Sequence, residues 1–82
     1  MRGTVEEING RSGMVAVLTE GGDYSVLELL GDEVEEGDEL VWSGDYPLGG
    51  ESVKNLTQGV IMDVFFQNHT ISKSQMHTQL LY

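Results

Sequence analysis

The fold class follows from residues 2–20, whose sequence is RGTVEEINGRSGMVAVLTE. The dipeptide Asn9-Gly10 divides this stretch, and both of its residues tolerate the positive φ that a tight hairpin turn requires. After the turn, the segment from Met14 to Leu18 is apolar on both alternation phases. A strand that is apolar on both faces is typical of a central strand covered on each side. The stretch therefore predicts a β-hairpin with strands at 2–8 and 14–20.

The rest of the chain continues this pattern of short strands between turns. All eleven glycines fall at or before Gly59, and turn residues at such short intervals are typical of all-β domains. Further strands are predicted at 24–30, 40–42 and 60–67. The last of these alternates most clearly, and one of its phases is assigned to the core: Val60, Met62, Val64 and Phe66. The pattern predicts an all-β barrel of five strands.

Two connections between these strands are predicted to be irregular. Residues 32–39 include six acids in eight positions, which indicates a solvated connector. A divalent-cation site is the alternative, although the spacing lacks the pattern of an EF-hand loop. Residues 44–59 hold the only proline, Pro47. A short helical turn is predicted there at 51–58, ending at Gly59.

The C-terminal segment is predicted to form a short helix from Lys73 to Leu81. Ser72 or Thr70 is the expected N-cap, because a side-chain hydroxyl can accept from a free amide of the first turn. Three apolar side chains are expected on the face that docks against the barrel: Met76, Leu80 and Leu81.

Length and composition limit the classes of protein that the chain can represent. Eighty-two residues suffice for one domain, 1–82, with a small core. The absence of cysteine excludes disulfides and thiolate zinc sites and fits a reducing compartment. The acidic start of the chain lacks the apolar run of a signal peptide or membrane span. We therefore expect a cytoplasmic protein without a membrane partner.

The net charge of −10, from fourteen acids and four basic residues, disfavours nucleic acid as a partner. A protein of this charge repels phosphate and cannot gain from counterion release. The acids all lie between Glu6 and Asp63, so the last nineteen residues carry none. That segment could tolerate an acidic partner locally.

Two features resemble a known family. Gly3-Thr4-Val5, followed by Asn9 and Gly13, resembles the opening of cold-shock domains. Five strands with a long connection before the last resemble the OB-fold, and most closely its cold-shock and S1-type members. The resemblance covers roughly residues 1–30 and implies a five-stranded OB-like small barrel with a short C-terminal helix, in a small bacterial protein. An SH3-like barrel is the alternative, since strand order is not readable from this sequence.

The resemblance also implies a single-stranded nucleic-acid ligand, but the sequence departs from the family at the residues that would bind it. Cold-shock domains present phenylalanines on strand two, whereas here the positions are Met14, Ala16 and Leu18. Base stacking contributes about 1–3 kcal/mol per base, so losing two or three rings costs roughly 3–6 kcal/mol. Asp63-Val64-Phe65-Phe66 is similar to the family's aromatic strand, but it lies in the fifth strand rather than the third.

Five residues form the candidate binding site. If the loop after strand one meets the loop before strand five, as the corresponding OB loops do, these side chains make a concave patch. They are Arg11, Tyr24, Tyr46, Lys54 and Phe65. Phe65 shares the outward phase with Asp63 and Gln67, yet we expect the C-terminal helix to cover it, because its apolar residues need a surface. Trp42 alternates in phase with Leu40 and is assigned to the core or rim.

No catalytic, metal or cofactor site is predicted. His69 and His77 are eight residues apart on different elements, and no serine lies in a nucleophile-elbow motif. The acids are sufficiently numerous for an acid/base pair, but on an acidic surface most are solvated.

The sequence therefore predicts a non-enzymatic binding module whose partner is another protein, including a second copy of itself. An unpaired edge strand and the apolar ending Leu80-Leu81-Tyr82 favour association. The alternative is an OB-type binder of single-stranded nucleic acid. A third reading is a cation-binding protein or small enzyme centred on residues 32–39.

Overall fold

Six strands close into a barrel, and one helix lies on its outer surface. The computed structural model describes residues 1–81, so Tyr82, and with it part of the apolar ending, lies outside the described residues. The elements are β1 (Arg2–Asn9), β2 (Met14–Thr19), β3 (Tyr24–Leu29), β4 (Glu39–Val41), β5 (Gly49–Asn55), β6 (Val60–Ile71) and α1 (Lys73–Leu80). Within residues 1–81, no helix is long and apolar enough to span a membrane.

The strand order around the barrel is β1-β2-β3-β6-β5-β4, and β4 closes it by pairing with β1. All neighbouring pairs are antiparallel. The connection from β3 to β4 returns the chain to the far side of β1, which gives the 4-1-2-3 order of a Greek key. The OB-fold is also a Greek-key barrel. The prediction of an all-β barrel is confirmed, and the architecture is compatible with the OB-like class.

The number of strands differs from the prediction, because β5 lies inside the segment 44–59 that was expected to be irregular. The helical turn predicted at 51–58 is wrong. The β5 sequence GGESVKN contains two glycines and a single β-branched residue, Val53, so its local strand signal is weak. Pairing with β6 along the whole of β5 makes it a strand, which is a case of tertiary context overriding local preference.

One hydrophobic core fills the barrel. It consists of Val5, Val15, Val17, Leu27, Val34, Leu40, Trp42, Val53, Met62, Val64 and Phe66. Trp42 packs at 5.1 Å, centroid to centroid, from Phe66, which confirms its assignment to the core. Val60 is an exception to the predicted core phase of β6. It lies at the start of the strand and is 42% exposed.

A second core lies outside the barrel, between α1 and the strands β2 and β3. Met76 and Leu80 of the helix pack there with Ala16, Tyr24, Val26 and Ile71. This is why β2 is apolar on both faces, as predicted. Ser72 is the N-cap and forms a capping box with Gln75. Leu81 does not dock as expected, since it follows the helix and is exposed.

Tyr24 is buried under the helix, and its hydroxyl donates a hydrogen bond to the carboxylate of Glu6. This hydrogen bond, with burial and the negative charges of Glu6 and Glu7, raises the pKa of Tyr24 to about 12. The folded state therefore resists deprotonation of this tyrosine. Its stabilising contribution is complete below the ordinary tyrosine pKa of about 10. It is lost as the pH rises through about 12.

We expect Glu6→Gln to lower the pKa of Tyr24 towards its ordinary value, since the variant removes the charge that opposes the phenolate. Ultraviolet difference absorbance during an alkaline titration reports the tyrosinate directly. Glu7→Gln is the control and should have a smaller effect, because Glu7 contributes through its charge alone. Equal effects of the two variants would contradict the assigned hydrogen bond.

Gly3 is placed where β1 has no room for a side chain. A Cβ added there would lie 2.5 Å from Cγ1 of Val17 and 2.8 Å from the carbonyl oxygen of Leu18. The second contact is with backbone, so a rotamer change cannot relieve it. The β1–β2 pairing thus requires glycine at this position.

Gly3→Ala is expected to destabilise the protein by about 1–3 kcal/mol, the usual cost of overpacking a core. Thermal unfolding followed by the fluorescence of Trp42 measures the change. Gly10→Ala is the matched control, because a Cβ at Gly10 meets no atom within 4 Å. Equal unfolding temperatures for the two variants would contradict the close approach of β1 and β2 at Gly3.

A buried carboxylate joins the β3–β4 connection to the β5–β6 turn. Oδ2 of Asp38 accepts hydrogen bonds from Nδ2 of Asn55 at 2.9 Å, Nε2 of Gln58 at 2.6 Å and the amide of Glu35 at 3.0 Å. Burial alone would raise the pKa of Asp38, but the hydrogen bonds from Asn55, Glu35 and Gln58 outweigh it and lower the pKa below its ordinary value. Asp38 therefore stays ionised and holds the connection in place.

Candidate binding surface

The β5–β6 hairpin presents one broad outer face. Its register pairs Gly50 with Phe65, Ser52 with Asp63 and Lys54 with Ile61, and side chains of each pair point to the same side of an antiparallel ladder. The alternate residues Val53, Met62, Val64 and Phe66 point into the barrel core. We call the outward set the β5–β6 face. It consists of Gly50, Ser52, Lys54, Ile61, Asp63 and Phe65.

Large apolar side chains are exposed on and beside this face. Ile61 is 72% exposed and Phe65 42% exposed. Leu30, which follows β3 and adjoins Asp63 of β6, is 55% exposed. Gly50, opposite Phe65, has no side chain to cover the ring. Single exposed hydrophobic residues are ordinary, but a group on one face marks an interaction surface.

Two shallow grooves cross the same surface. The larger, about 680 Å³, is lined by Leu30, Ser43, Gly50, Glu51, Ser52, Asp63 and Val64. The smaller, about 270 Å³, lies beside Lys54 and Ile61 and shares Ser43 and Ser52 with the first. The grooves thus give the apolar residues a polar surround of hydroxyls, two carboxylates and one ammonium group. An apolar centre with a polar rim is the usual anatomy of a protein interface.

The charges on this face are few and of both signs. Lys54 and Asp63 are exposed, and Oδ1 of Asp63 is 3.5 Å from the Ser52 hydroxyl. Neither belongs to the ion pairs found in residues 1–81, which are Arg2–Glu39 and His77–Glu7. Glu28 is half-buried beside Phe65, where its carboxylate accepts from Gln67 at 3.3 Å. The face is therefore weakly acidic on a strongly acidic protein.

The structure brings two of the five predicted site residues together and separates the others. Lys54 and Phe65 both lie on the β5–β6 face. Phe65 is not covered by the helix, contrary to expectation, because α1 packs on β2 and β3 instead. Tyr24 is buried in the second core and is no part of a concave surface patch.

Arg11 and Tyr46 lie near opposite ends of β3, so the expected meeting of their two loops is wrong. Arg11 is in the β1–β2 turn, whose Gly13 bonds Leu29 at the end of β3. The Tyr46 ring stands edge-on to His69, 5.7 Å away, and His69 bonds Ser25 at the start of β3. A strand rises about 3.3 Å per residue, so these ends are roughly 15 Å apart.

The outer face of β2, on which stacking rings were looked for in the sequence, is covered. Met14, Ala16 and Leu18 pack into the second core beneath α1. Aliphatic residues at these positions fit an interface with a helix. Base stacking on β2 would require α1 to leave the barrel.

One pair of side chains has the spacing of a nucleophile and its base. Ser25 Oγ is 2.7 Å from Nδ1 of His69, but both residues are buried. The other ring nitrogen of His69 bonds the carbonyl of Pro47, and the ring stacks on Phe66 at 5.0 Å. The pair therefore anchors the β4–β5 connection. Among residues 1–81, no group of three or more His, Asp or Glu side chains is placed to hold a metal ion.

Sequence reasoning missed Ile61 and Leu30. Ile61 shares the outward phase of the last strand with Asp63 and Phe65, and an isoleucine on an outward phase is itself a signal of an interaction surface. Leu30 could not be found in this way, because its place beside Asp63 depends on the pairing of β3 with β6, which are far apart in sequence.

In comparisons with known proteins, no family model, no curated protein and no solved structure matches the chain. The class of protein that the fold defines is a small closed β-barrel with an exposed, partly apolar outer face.

Proposed function

We propose that this protein is a non-enzymatic binding module that docks a basic protein partner on its β5–β6 face. The observation that carries the proposal is the clustering of Phe65, Ile61 and Leu30 on one side of the barrel, at 42%, 72% and 55% exposure. Aromatic and aliphatic anchors of this kind, within a polar rim, supply most of the affinity of protein interfaces.

The charge of the chain selects the partner. Fourteen acids against four basic residues produce a negative field that attracts cationic surfaces and accelerates their encounter. Only one cation, Lys54, belongs to the β5–β6 face. A partner segment that alternates basic and apolar side chains would be attracted by the negative field. Its apolar side chains would also contact the exposed apolar residues of the face.

Self-association is supported less well. Two copies at −10 each repel one another, and the repulsion weakens only as salt screens it. The edge-strand argument for a dimer also fails, because the barrel is closed and β4 is paired on both sides. A dimer through the β5–β6 face is therefore an outcome that the experiment must distinguish.

Single-stranded nucleic acid, the ligand implied by the cold-shock resemblance, is also supported less well. Phe65 is open to stacking, but the β2 positions are beneath α1. Arg11 and Tyr46 do not reach the β5–β6 face, which leaves Lys54 as its only phosphate ligand among the predicted residues. One cation gives little counterion release.

The proposal is tested by fluorescence anisotropy with three labelled probes at low and high salt. They are the peptide Lys-Leu-Lys-Phe-Lys-Leu-Lys, its counterpart with glutamate at every lysine, and a mixed-sequence ten-nucleotide DNA pool. We expect the basic peptide to bind, more weakly at high salt, and the other two to give no signal. Binding of the DNA pool alone would establish the nucleic-acid alternative. Failure of the basic peptide overturns the proposal.

Sedimentation equilibrium of the protein alone completes the test. We expect a monomer at both salt concentrations. A dimer that strengthens with salt and disappears in Phe65→Ala would place a second copy on the β5–β6 face and exclude the basic partner from it.

A further inference from the structure

A cleft at one end of the barrel lies next to the β5–β6 face. It opens between the β1–β2 turn and the connection from β3 to β4, and its volume is about 410 Å³. That volume is within the usual range for ligand sites, about 300–1,000 Å³. The lining residues are Ile8, Asn9, Gly10, Gly13, Leu29, Gly31, Asp32, Glu33 and Val34.

The floor of the cleft is apolar. Val34 belongs to the barrel core, and Ile8 and Leu29 pack against that core while remaining partly exposed. At Gly10 and Gly31 an added Cβ would meet no atom within 4 Å, so there is open space beside the backbone at both positions. The cleft can thus receive an aliphatic chain.

The rim of the cleft is acidic. Asp32 and Glu33 are both exposed, and neither belongs to the two ion pairs found in residues 1–81. Arg11 follows Gly10 in the sequence and lines a neighbouring groove, which shares Asn9 with the cleft and includes Ser12 and Leu81. An aliphatic chain that enters this cleft therefore meets two carboxylates that have no cation of their own.

Leu30 connects this cleft to the β5–β6 face. Its neighbours Leu29 and Gly31 line the cleft, while Leu30 itself lines the 680 Å³ groove on the face. The cleft and the groove on the face are therefore lined by consecutive residues of the chain.

We infer that the cleft receives a lysine or arginine side chain of the same basic partner. The aliphatic stem lies on Ile8, Leu29 and Val34, and the cationic head pairs with Asp32 and Glu33. Lysine and arginine bury their stems on apolar surface and keep the charged head at the rim in this way. The inference rests on the proposed function for the identity of the ligand, but the cleft can be tested without any partner.

The test is an amide-resolved NMR titration with n-butylammonium, which has the stem and head of a lysine side chain. We expect shifts confined to the amides of the cleft, centred on Gly10, Gly31 and Asp32. n-Butanol, which has the same stem without charge, is expected to shift them far less. Equal shifts with both compounds, or shifts spread along the whole acidic surface, would overturn the inference.

Two variants and one control refine the test. The double variant Asp32→Asn, Glu33→Gln should weaken n-butylammonium binding by about fivefold, the effect of two exposed ion pairs. The control is Glu35→Gln, Glu36→Gln, which removes the same charge from exposed residues that do not line the cleft. It should leave binding nearly unchanged. An equal loss of affinity in the control would mean that the overall negative charge, and not the cleft, binds n-butylammonium.

The second variant, Gly10→Leu, keeps both carboxylates and adds a side chain where there is open space. We expect it to reduce n-butylammonium binding while thermal unfolding remains that of the unaltered protein. If it binds n-butylammonium as before, the cleft is not the site. Since no peptide is present, none of these results depends on whether the β5–β6 face binds one. Phe65→Ala should leave them unchanged.

Discussion

Asp38→Ala is expected to lower the free energy of unfolding by about 3 kcal/mol, since it leaves three donors without their acceptor, one of them on a fully buried residue. The donors are Asn55 Nδ2, Gln58 Nε2 and the Glu35 amide. Asn55 is itself fully buried, so water cannot replace the carboxylate there. For a domain of this size the change corresponds to roughly 15 °C in Tm. Thermal unfolding followed by Trp42 fluorescence measures it.

The control for this prediction is Asp45→Ala. Asp45 is exposed in the β4–β5 connection, and its removal changes the net charge by the same amount. We expect Asp45→Ala to shift Tm little. Comparable losses of Tm in the two variants would mean that the lost charge, and not the lost hydrogen bonds of Asp38, destabilises the protein.

The carboxylate of Asp38 also makes the free energy of unfolding depend on pH in the acid range. Its pKa is lowered in the folded state, so its contribution is present above the unfolded aspartate pKa of about 3.9. That contribution is lost as the pH falls through the lower folded pKa. The Asp38→Ala variant should therefore lose less stability than the unaltered protein between neutral pH and the acid range. Parallel stability curves for the two proteins would contradict the lowered pKa.

Phe65→Ala is expected to weaken binding of the basic peptide by about thirtyfold. Truncating an aromatic anchor at the centre of an interface costs about 2 kcal/mol or more, and each 1.4 kcal/mol is about a factor of ten in Kd. The ring is on the surface, so the fold should be unaffected. Fluorescence anisotropy with the labelled peptide measures the change, and thermal unfolding confirms that the variant is folded.

Two further variants make the Phe65 result specific. Val60→Ala is the matched control, because Val60 is also 42% exposed and lies outside the β5–β6 face. Lys54→Ala discriminates between partners. It removes a cation, so it should strengthen binding of the basic peptide, whereas it would weaken binding of nucleic acid. A loss of peptide affinity in Lys54→Ala, or an equal loss in Val60→Ala, would contradict the proposed contact.

Local signals in the sequence were sufficient to predict much of this fold. The hairpin after β1, the two-faced β2 and the alternation of the last strand all reflect period and turn residues, which depend on neighbours in the sequence. The predicted type of turn was wrong, because the positive φ of this connection is at Gly13 and not at Asn9 or Gly10. The Ser72 cap and the helix that follows it were predictable for the same reason. β5 was not predictable, because Gly49 and Gly50 weaken the local signal and the strand exists through its pairing with β6.

The candidate surface was predictable only in part. The outward phase of the last strand placed Phe65 correctly, because alternation alone fixes which residues share a face. Whether the helix would cover Phe65 depended on where α1 docks, and both outer sheet surfaces offered apolar residues. The helix packs on Ala16, Tyr24 and Val26, and this contact both buries Tyr24 and leaves Phe65 exposed. Contacts between distant segments, which periodicity does not encode, determined the site.

The most direct test of the central claim is an amide-resolved NMR titration with the peptide Lys-Leu-Lys-Phe-Lys-Leu-Lys at low salt. The account predicts the largest shifts at Ser52, Lys54, Ile61, Asp63 and Phe65, continuing to Leu30 and the adjoining cleft, with α1 and the part of β1 outside the cleft unaffected. Shifts centred on β1, α1 or the Arg11 turn, with the β5–β6 face unchanged, would contradict it.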